Sequence, residues 1–267
     1  MRSFLFRKTL SQSVAVSLVA LLCIFAVGML QVPQLNRLRN RAKTDSTEAL
    51  RKQVGLEGLR LNLLEKTPAF GLDNLLADWV FLNFLQYFGD DEARDVTGYS
   101  LSPEYFEIIV DRDPRFLGAY IGLSTSISLY AARPEKSVAL MEKGLQSMSP
   151  QTPPKSYYVW RYKAIDELLF LGDAQAARQS FEKAAEWASS YSDEESQTVA
   201  AFSRKTAAFL ARNPESKSAQ VTAWTMVLNY ATDNRARQIA INRIRALGGE
   251  VIVTPQGPPR VRLPQVD

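Results

Sequence analysis

The stretch from Tyr157 to Ser190, YYVWRYKAIDELLFLGDAQAARQSFEKAAEWASS, decides the fold. Trp160, Ala164 and Leu168 recur at i, i+4 and i+8, which puts them on one face of a helix. Leu171-Gly172-Asp173 interrupts that rhythm. Gly172 can take the left-handed conformation that ends a helix, and Asp173 can cap the next one. Ala177, Phe181, Ala184 and Ala188 then make a second apolar face. Small alanines let two helices approach closely, and Phe181 fills the remaining gap. The segment reads as an antiparallel helix hairpin.

A second copy begins 40 residues earlier. Tyr120 aligns with Trp160, and MEKGL at 141–145 aligns with FEKAA at 181–185. Pro134 sits just inside the second helix of this copy, a favoured first-turn position. A third fragment is SPEYFEIIVDRDPRF, in which Ser102 caps, Pro103 opens the helix, Phe106 anchors it and Pro114 closes it. Ser192 and Glu195 form a capping box for a helix running to Arg212. Val221, Trp224, Leu228 and Ala231 mark another helix, and Ala236, Ala240, Ile244 and Leu247 mark its partner. Strand-like alternation is scarce. These hairpins resemble the tetratricopeptide repeat (TPR) family. Ala177-x3-Phe181 and the preceding Gly172 match its second-helix pattern, whereas the leading Trp-x2-Leu-Gly is missing and the period exceeds the family's roughly 34 residues. The resemblance implies an all-α protein, with a TPR-like right-handed α-solenoid of antiparallel helix hairpins over residues 71–248. Gly248-Gly249 stops the last helix, and the prolines of 249–267 predict an irregular, mobile tail in which Val251–Val253 forms a short strand or lies along the array.

Leu75 to Asp91, LLADWVFLNFLQYFGDD, is the most apolar part of the body. A helix from Leu75 to Gly89 rises only about 22 Å, short of the roughly 30 Å hydrocarbon core, so a second membrane span is not expected. Asp78, Asn83 and Gln86 fall on one side and form a polar stripe. Asp73 can cap the helix and Gly89 can end it. The segment reads as a mostly buried first helix of the array, in which Asp78 bonds a neighbouring group rather than performing chemistry. The alternative places its aromatic face in a membrane interface, a depth that Trp and Tyr favour. Together with the DPRF that follows, GLDNLLADWVFLNFLQYFGD resembles membrane-anchored TPR-like proteins of bacteria, notably cyanobacteria, over residues 60–150. That resemblance implies architecture more than activity, with the thylakoid or plasma membrane as the site.

The N-terminal run Val14–Leu30, VAVSLVALLCIFAVGML, carries no charge, and with its neighbours from about 10 to 32 it reaches the length that spans a bilayer. Residues 1–36 therefore read as an uncleaved signal anchor; a cleaved signal peptide and a buried core helix are the alternatives. Residues 37–70 follow as a juxtamembrane linker and helix. Arg37, Arg39, Arg41 and Lys43 form a basic cluster suited to anionic headgroups, or to a solvated helix start. Basic residues flank the span on both sides, so the positive-inside rule nearly cancels. A single-pass membrane protein with its body in the periplasm or a lumen is expected.

The chain has no histidine and one cysteine, Cys23, so intrachain disulfides and thiolate or imidazole metal sites are excluded. No Gly-rich phosphate loop or GxSxG elbow occurs. Arg235, Arg237, Arg243 and Arg245 make a basic helix end without the aromatic support a nucleic-acid surface calls for. No cofactor, metal, nucleic acid or small-molecule substrate is expected, nor an enzyme. The expected function is a membrane-anchored scaffold whose repeats dock protein partners and help to assemble or maintain a membrane complex. Tyr120, Tyr157, Trp160 and Tyr162 are the candidate groove residues, with plain inter-helix packing as the alternative for each. A small accessory subunit held stoichiometrically in a photosynthetic or envelope complex is the second reading.

Overall fold

A computed structural model describes isolated helical positions between 22 and 31 and residues 47–213, 216–230, 234–252 and 260–264. It divides into two compact units, 1–53 and 54–267. The predicted span at about 10–32 lies almost wholly outside the described residues, and the cluster Arg37, Arg39, Arg41 and Lys43 lies wholly outside them. Among the described residues no helix is long and apolar enough to cross a membrane.

The body is predominantly helical. In chain order it runs α1 (Thr47–Lys66), α2 (Asp73–Phe88), α3 (Asp91–Thr97), α4 (Ser102–Arg112), α5 (Ala119–Leu123), α6 (Pro134–Leu145), α7 (Tyr157–Asp166), α8 (Ala174–Ala188), α9 (Glu194–Arg212), α10 (Lys217–Tyr230) and α11 (Asn234–Ala246). Two wider π-helical segments, Ser124–Tyr130 and Glu167–Leu171, continue α5 and α7 without a break. Helix α2 packs on α4, α6 on α7, α7 on α8, and α8 on α9. The pair α10–α11 turns back instead and packs its Trp224 edge-on against Phe170 of the second π segment.

The 40-residue repeat is visible atom by atom. Ala132 and Gly172 both hold positive φ, +55° and +69°. Just past them the backbone N–H of Arg133 donates to Ile127 O, and that of Asp173 to Glu167 O, each at 2.9 Å. Met141 and Phe181 are buried at matching positions of α6 and α8. Asp173 caps α8 by accepting from Ala176 N at 2.9 Å. Close approach in the first copy rests on Gly144: a Cβ there would lie 1.8 Å from the Tyr120 hydroxyl oxygen.

Two cores of different character result. The leading one is aromatic: Phe84 meets Phe106 at 4.5 Å and Tyr105 at 5.8 Å between ring centroids. The later one, around α7–α9, sets alanines about a few large side chains: Ala164, Ala177 and Ala207 with Leu168, Phe181 and Leu210.

Three expectations are corrected. Helix α2 is not mostly buried: Ala77, Val80, Phe84 and Tyr87 are buried, Leu76, Phe81 and Phe88 pack half-buried against the core, and Leu75, Asp78, Trp79, Leu82, Leu85 and Gln86 are exposed. A helix packed along one side has no second surface to cover. Caps shift by about a residue. Leu72 rather than Asp73 precedes α2, Leu101 rather than Ser102 precedes α4, and Asp193 rather than Ser192 caps α9, accepting from Ser196 N at 3.0 Å. The tail is not irregular throughout, and of the two alternatives at Val251 the short strand is the one observed, beginning one residue earlier. Glu250–Ile252 (β1) pairs antiparallel with Arg260–Arg262 (β2), and Val251 and Val261 pack against the α10–α11 core.

Candidate functional site

Helix α7 carries Trp160, Lys163 and, through its π continuation, Glu167 along one face. These spacings return to the same side of a helix. They meet α8, whose N-terminal half brings Ser180 opposite. Lys163 Nζ donates to Glu167 Oε1 at 2.5 Å and to Ser180 Oγ at 3.3 Å, and Ser180 Oγ donates to Glu167 Oε2 at 2.6 Å. Glu167 is 2% exposed and Lys163 9%. A buried ion pair persists only when its remaining donors and acceptors are also satisfied, and the serine closes this set. An ammonium engaged by a carboxylate has no lone pair with which to take the Ser180 proton. The triad therefore shapes and charges the site rather than forming a nucleophile with its base.

This triad is the floor of an open cavity of about 530 Å³. Trp160 forms one wall, Glu142 of α6 reaches in from the first hairpin, and Gln179, Glu182, Lys183 and Glu186 of α8 form the opposite rim. The rim is laced by pairs: Lys183 Nζ to Glu186 at 2.8 Å, and Arg178 Nε to Glu182 at 3.0 Å. The Trp160 ring stands edge-on to Trp187 at 5.8 Å, and Lys163 Nζ lies 5.6 Å from its centroid. The Trp160 indole N–H is shielded from solvent, with no acceptor among the described residues. An indole face beside several carboxylates is an environment that favours a cationic group, and the orphan N–H favours an acceptor.

Behind the floor lies a second polar node. Asp166 is fully buried. Ser124 Oγ donates to its Oδ1 at 2.7 Å, and Ser128 Oγ and Ser137 Oγ donate to its Oδ2 at 2.5 and 2.6 Å. One carboxyl thus ties the first π segment and α6 to α7. Burial pushes its pKa up to about 7, against the lowering pull of the three hydroxyls.

The four predicted groove residues part company. Tyr120 is fully buried under Gly144, and its hydroxyl donates to Pro114 O at 2.6 Å. Tyr157 is fully buried as well, its hydroxyl 3.0 Å from Ser196 Oγ. Both belong to inter-helix packing: Tyr120 is covered by its own hairpin partner α6, and Tyr157 by the end of α8 and by Ser196, Val199 and Ala200 of α9. Tyr162 is half-buried and stacks on Tyr158 at 6.2 Å. Trp160 alone lines the cavity. The residues that the sequence reading missed are Lys163, Glu167 and Ser180. The signal available was a Lys–Glu pair at i, i+4 on an apolar face, which looks like any solvated pair until the facing helix is known.

Among the described residues no group of three His, Cys, Asp or Glu side chains is placed to hold a metal ion. No family model, curated protein or solved structure matches the chain.

Proposed function

We propose that this chain is a membrane-anchored, TPR-like docking scaffold, and that the cavity between the second helices of its two hairpins is where a partner segment seats. The observation that carries this reading is the open 530 Å³ cavity walled by Trp160 and rimmed by Glu142, Glu182 and Glu186. Stacked hairpins of the kind proposed leave such clefts between neighbouring repeats, and partner segments bind them through a few anchoring side chains. The chemistry here suits a Lys or Arg of the partner, its charge among the carboxylates and its stem on the indole.

Photo-crosslinking tests it. A benzophenone amino acid at Gln179 of the full-length chain, irradiated in native membranes, is expected to capture one dominant protein. Trp160→Ala or Glu142→Lys should diminish that capture without unfolding the body. Equal capture in both variants, or capture only from sites away from α6–α8, would reject the cavity as the docking site. The ratio of the captured protein to this chain separates a scaffold that comes and goes from a stoichiometric accessory subunit.

A further inference from the structure

Exposed apolar side chains are not spread evenly over the body. Among the described residues from 54 on, nine of fifteen exposed large apolar side chains fall between 56 and 85: Leu56, Leu59 and Leu63 on α1, Phe70 and Leu72 in the turn, and Leu75, Trp79, Leu82 and Leu85 on α2. The remainder, Ile121 and Phe202 among them, are scattered singly, which is ordinary for a water-facing surface. On α1 the spacing i, i+3, i+7 makes one stripe, opposite the buried Leu61. On α2 the spacing i, i+4, i+7 of Leu75, Trp79 and Leu82 makes a second, opposite the buried Phe84. The turn between the stripes carries Phe70 at 89% exposure, held at φ +50° next to Gly71 at φ +85°. A bulky residue in the left-handed region, pointed fully into solvent, costs free energy twice over.

We propose that this face, from Leu56 through the Phe70 turn to Leu82, lies in the headgroup–acyl boundary of a lipid bilayer and fixes the tilt of the body on the membrane. Three features favour lipid over a protein occupant. Aromatic side chains at a turn tip and beside a cation are suited to the interface: the Arg60 guanidinium, held by Glu57 and Asn83, lies 4.6 Å over the Trp79 ring and stays half-exposed. Lys66 stands at the end of the α1 stripe, next to the turn. The apolar run Val14–Leu30 and the basic cluster at 37–43 precede α1, and the 14 residues from 33 to 46 tether the body within about 50 Å of the bilayer. This last argument rests on the anchor reading; the first two do not.

Site-directed spin labelling decides it. Labels go at Phe70 and Leu82, with a control at Phe202 of α9, each in a Cys23→Ser background of the full-length chain reconstituted into vesicles of phosphatidylcholine and phosphatidylglycerol. Collisions with a water-soluble nickel complex should be several-fold fewer at Phe70 and Leu82 than at Phe202, and collisions with membrane-soluble oxygen correspondingly more frequent. Equal nickel accessibility at all three positions overturns the proposal. So does shielding in native membranes but not in lipid vesicles, which would assign the face to another protein. Dipolar broadening between labels at Phe70 would assign it to a second copy and overturn it likewise. An alkaline wash of the same vesicles reads the anchor separately: release into the supernatant counts against the span, whatever the labels report.

Discussion

The leading pair α1–α2 and the hairpin α7–α8 invert one another. The hairpin hides charge beneath charge: Lys163, Glu167 and Asp166 are buried, and its outer rim carries Arg178, Glu182, Lys183 and Glu186. The leading pair hides apolar groups beneath apolar groups: Phe84 and Tyr87 inside, Leu75, Trp79 and Leu82 outside. Both are amphipathic only in part, and the inversion teaches that an inner face and an outer face answer to different solvents. In α7–α8 an interior of alanines around Leu168 and Phe181 is crossed by a satisfied polar network that specifies how the helices meet. In α1–α2 the interior supplies burial in plenty, and the outer face is prepared for something other than water.

The comparison breaks most visibly at its buried charges. Lys163→Met leaves Glu167 buried without its cation and should cost roughly 3–5 kcal/mol of folding stability. Lys163→Met with Glu167→Leu should recover much of that loss. Urea unfolding of the full chain in detergent measures both, and an equal loss in the double variant would mean that the pair itself is net stabilising. On the other side, Phe84→Ala should cost about 3–5 kcal/mol as a large core deletion, with no polar partner whose removal rescues it.

Asp166 sharpens the contrast through pH. Its carboxyl titrates near 7 in the folded chain and near the ordinary carboxylate value when unfolded. Between those values the folded state holds a proton that the unfolded state has released. Its contribution to stability is therefore complete at low pH, falls as pH rises by up to about 1.4 kcal/mol per unit, and levels off above 7. Asp166→Asn keeps the shape and should flatten that part of the profile; an unchanged slope would locate the titration elsewhere. Asp173→Ala, which removes only the cap of α8, should cost about 1 kcal/mol. Smallest of all, Leu75→Ser with Leu82→Ser should change unfolding in detergent by no more than about 0.5 kcal/mol. The same two changes should alter how the body meets a bilayer.

Much of the architecture was legible because the signals are local. Gly172 and Asp173 end one helix and begin the next as their chemistry requires, and Pro134 and Pro114 bound their helices where proline must. The 40-residue offset, read from MEKGL and FEKAA, reappears in the matched turns at Ala132 and Gly172. The π segments were not legible, since STSISLY and ELLFL have the composition of any helix end. Nor was the floor of the cavity, for whether Lys163 and Glu167 face water or Ser180 depends on where α8 lies. Tyr120 and Tyr157 were misplaced for the same reason: an aromatic on a first helix looks identical in sequence whether the second helix covers it or leaves it open. Val261 was lost among prolines, because its strand partner stands ten residues earlier.

The π segments carry a consequence for how this chain tolerates change in length. A π turn is an α-helix that has taken in one extra residue without breaking. Removing a single residue from 167–171 would only return the segment to ordinary pitch, whereas adding one more, beyond what the π turn has already absorbed, would rotate everything beyond it by roughly 100° about the helix axis. Gly172, Asp173 and the whole of α8 would then swing away from Trp160 and Lys163, and Phe170 away from Trp224. A one-residue insertion there is a change of gear for the second half of the molecule, whereas a one-residue deletion is the change the π turn is built to absorb.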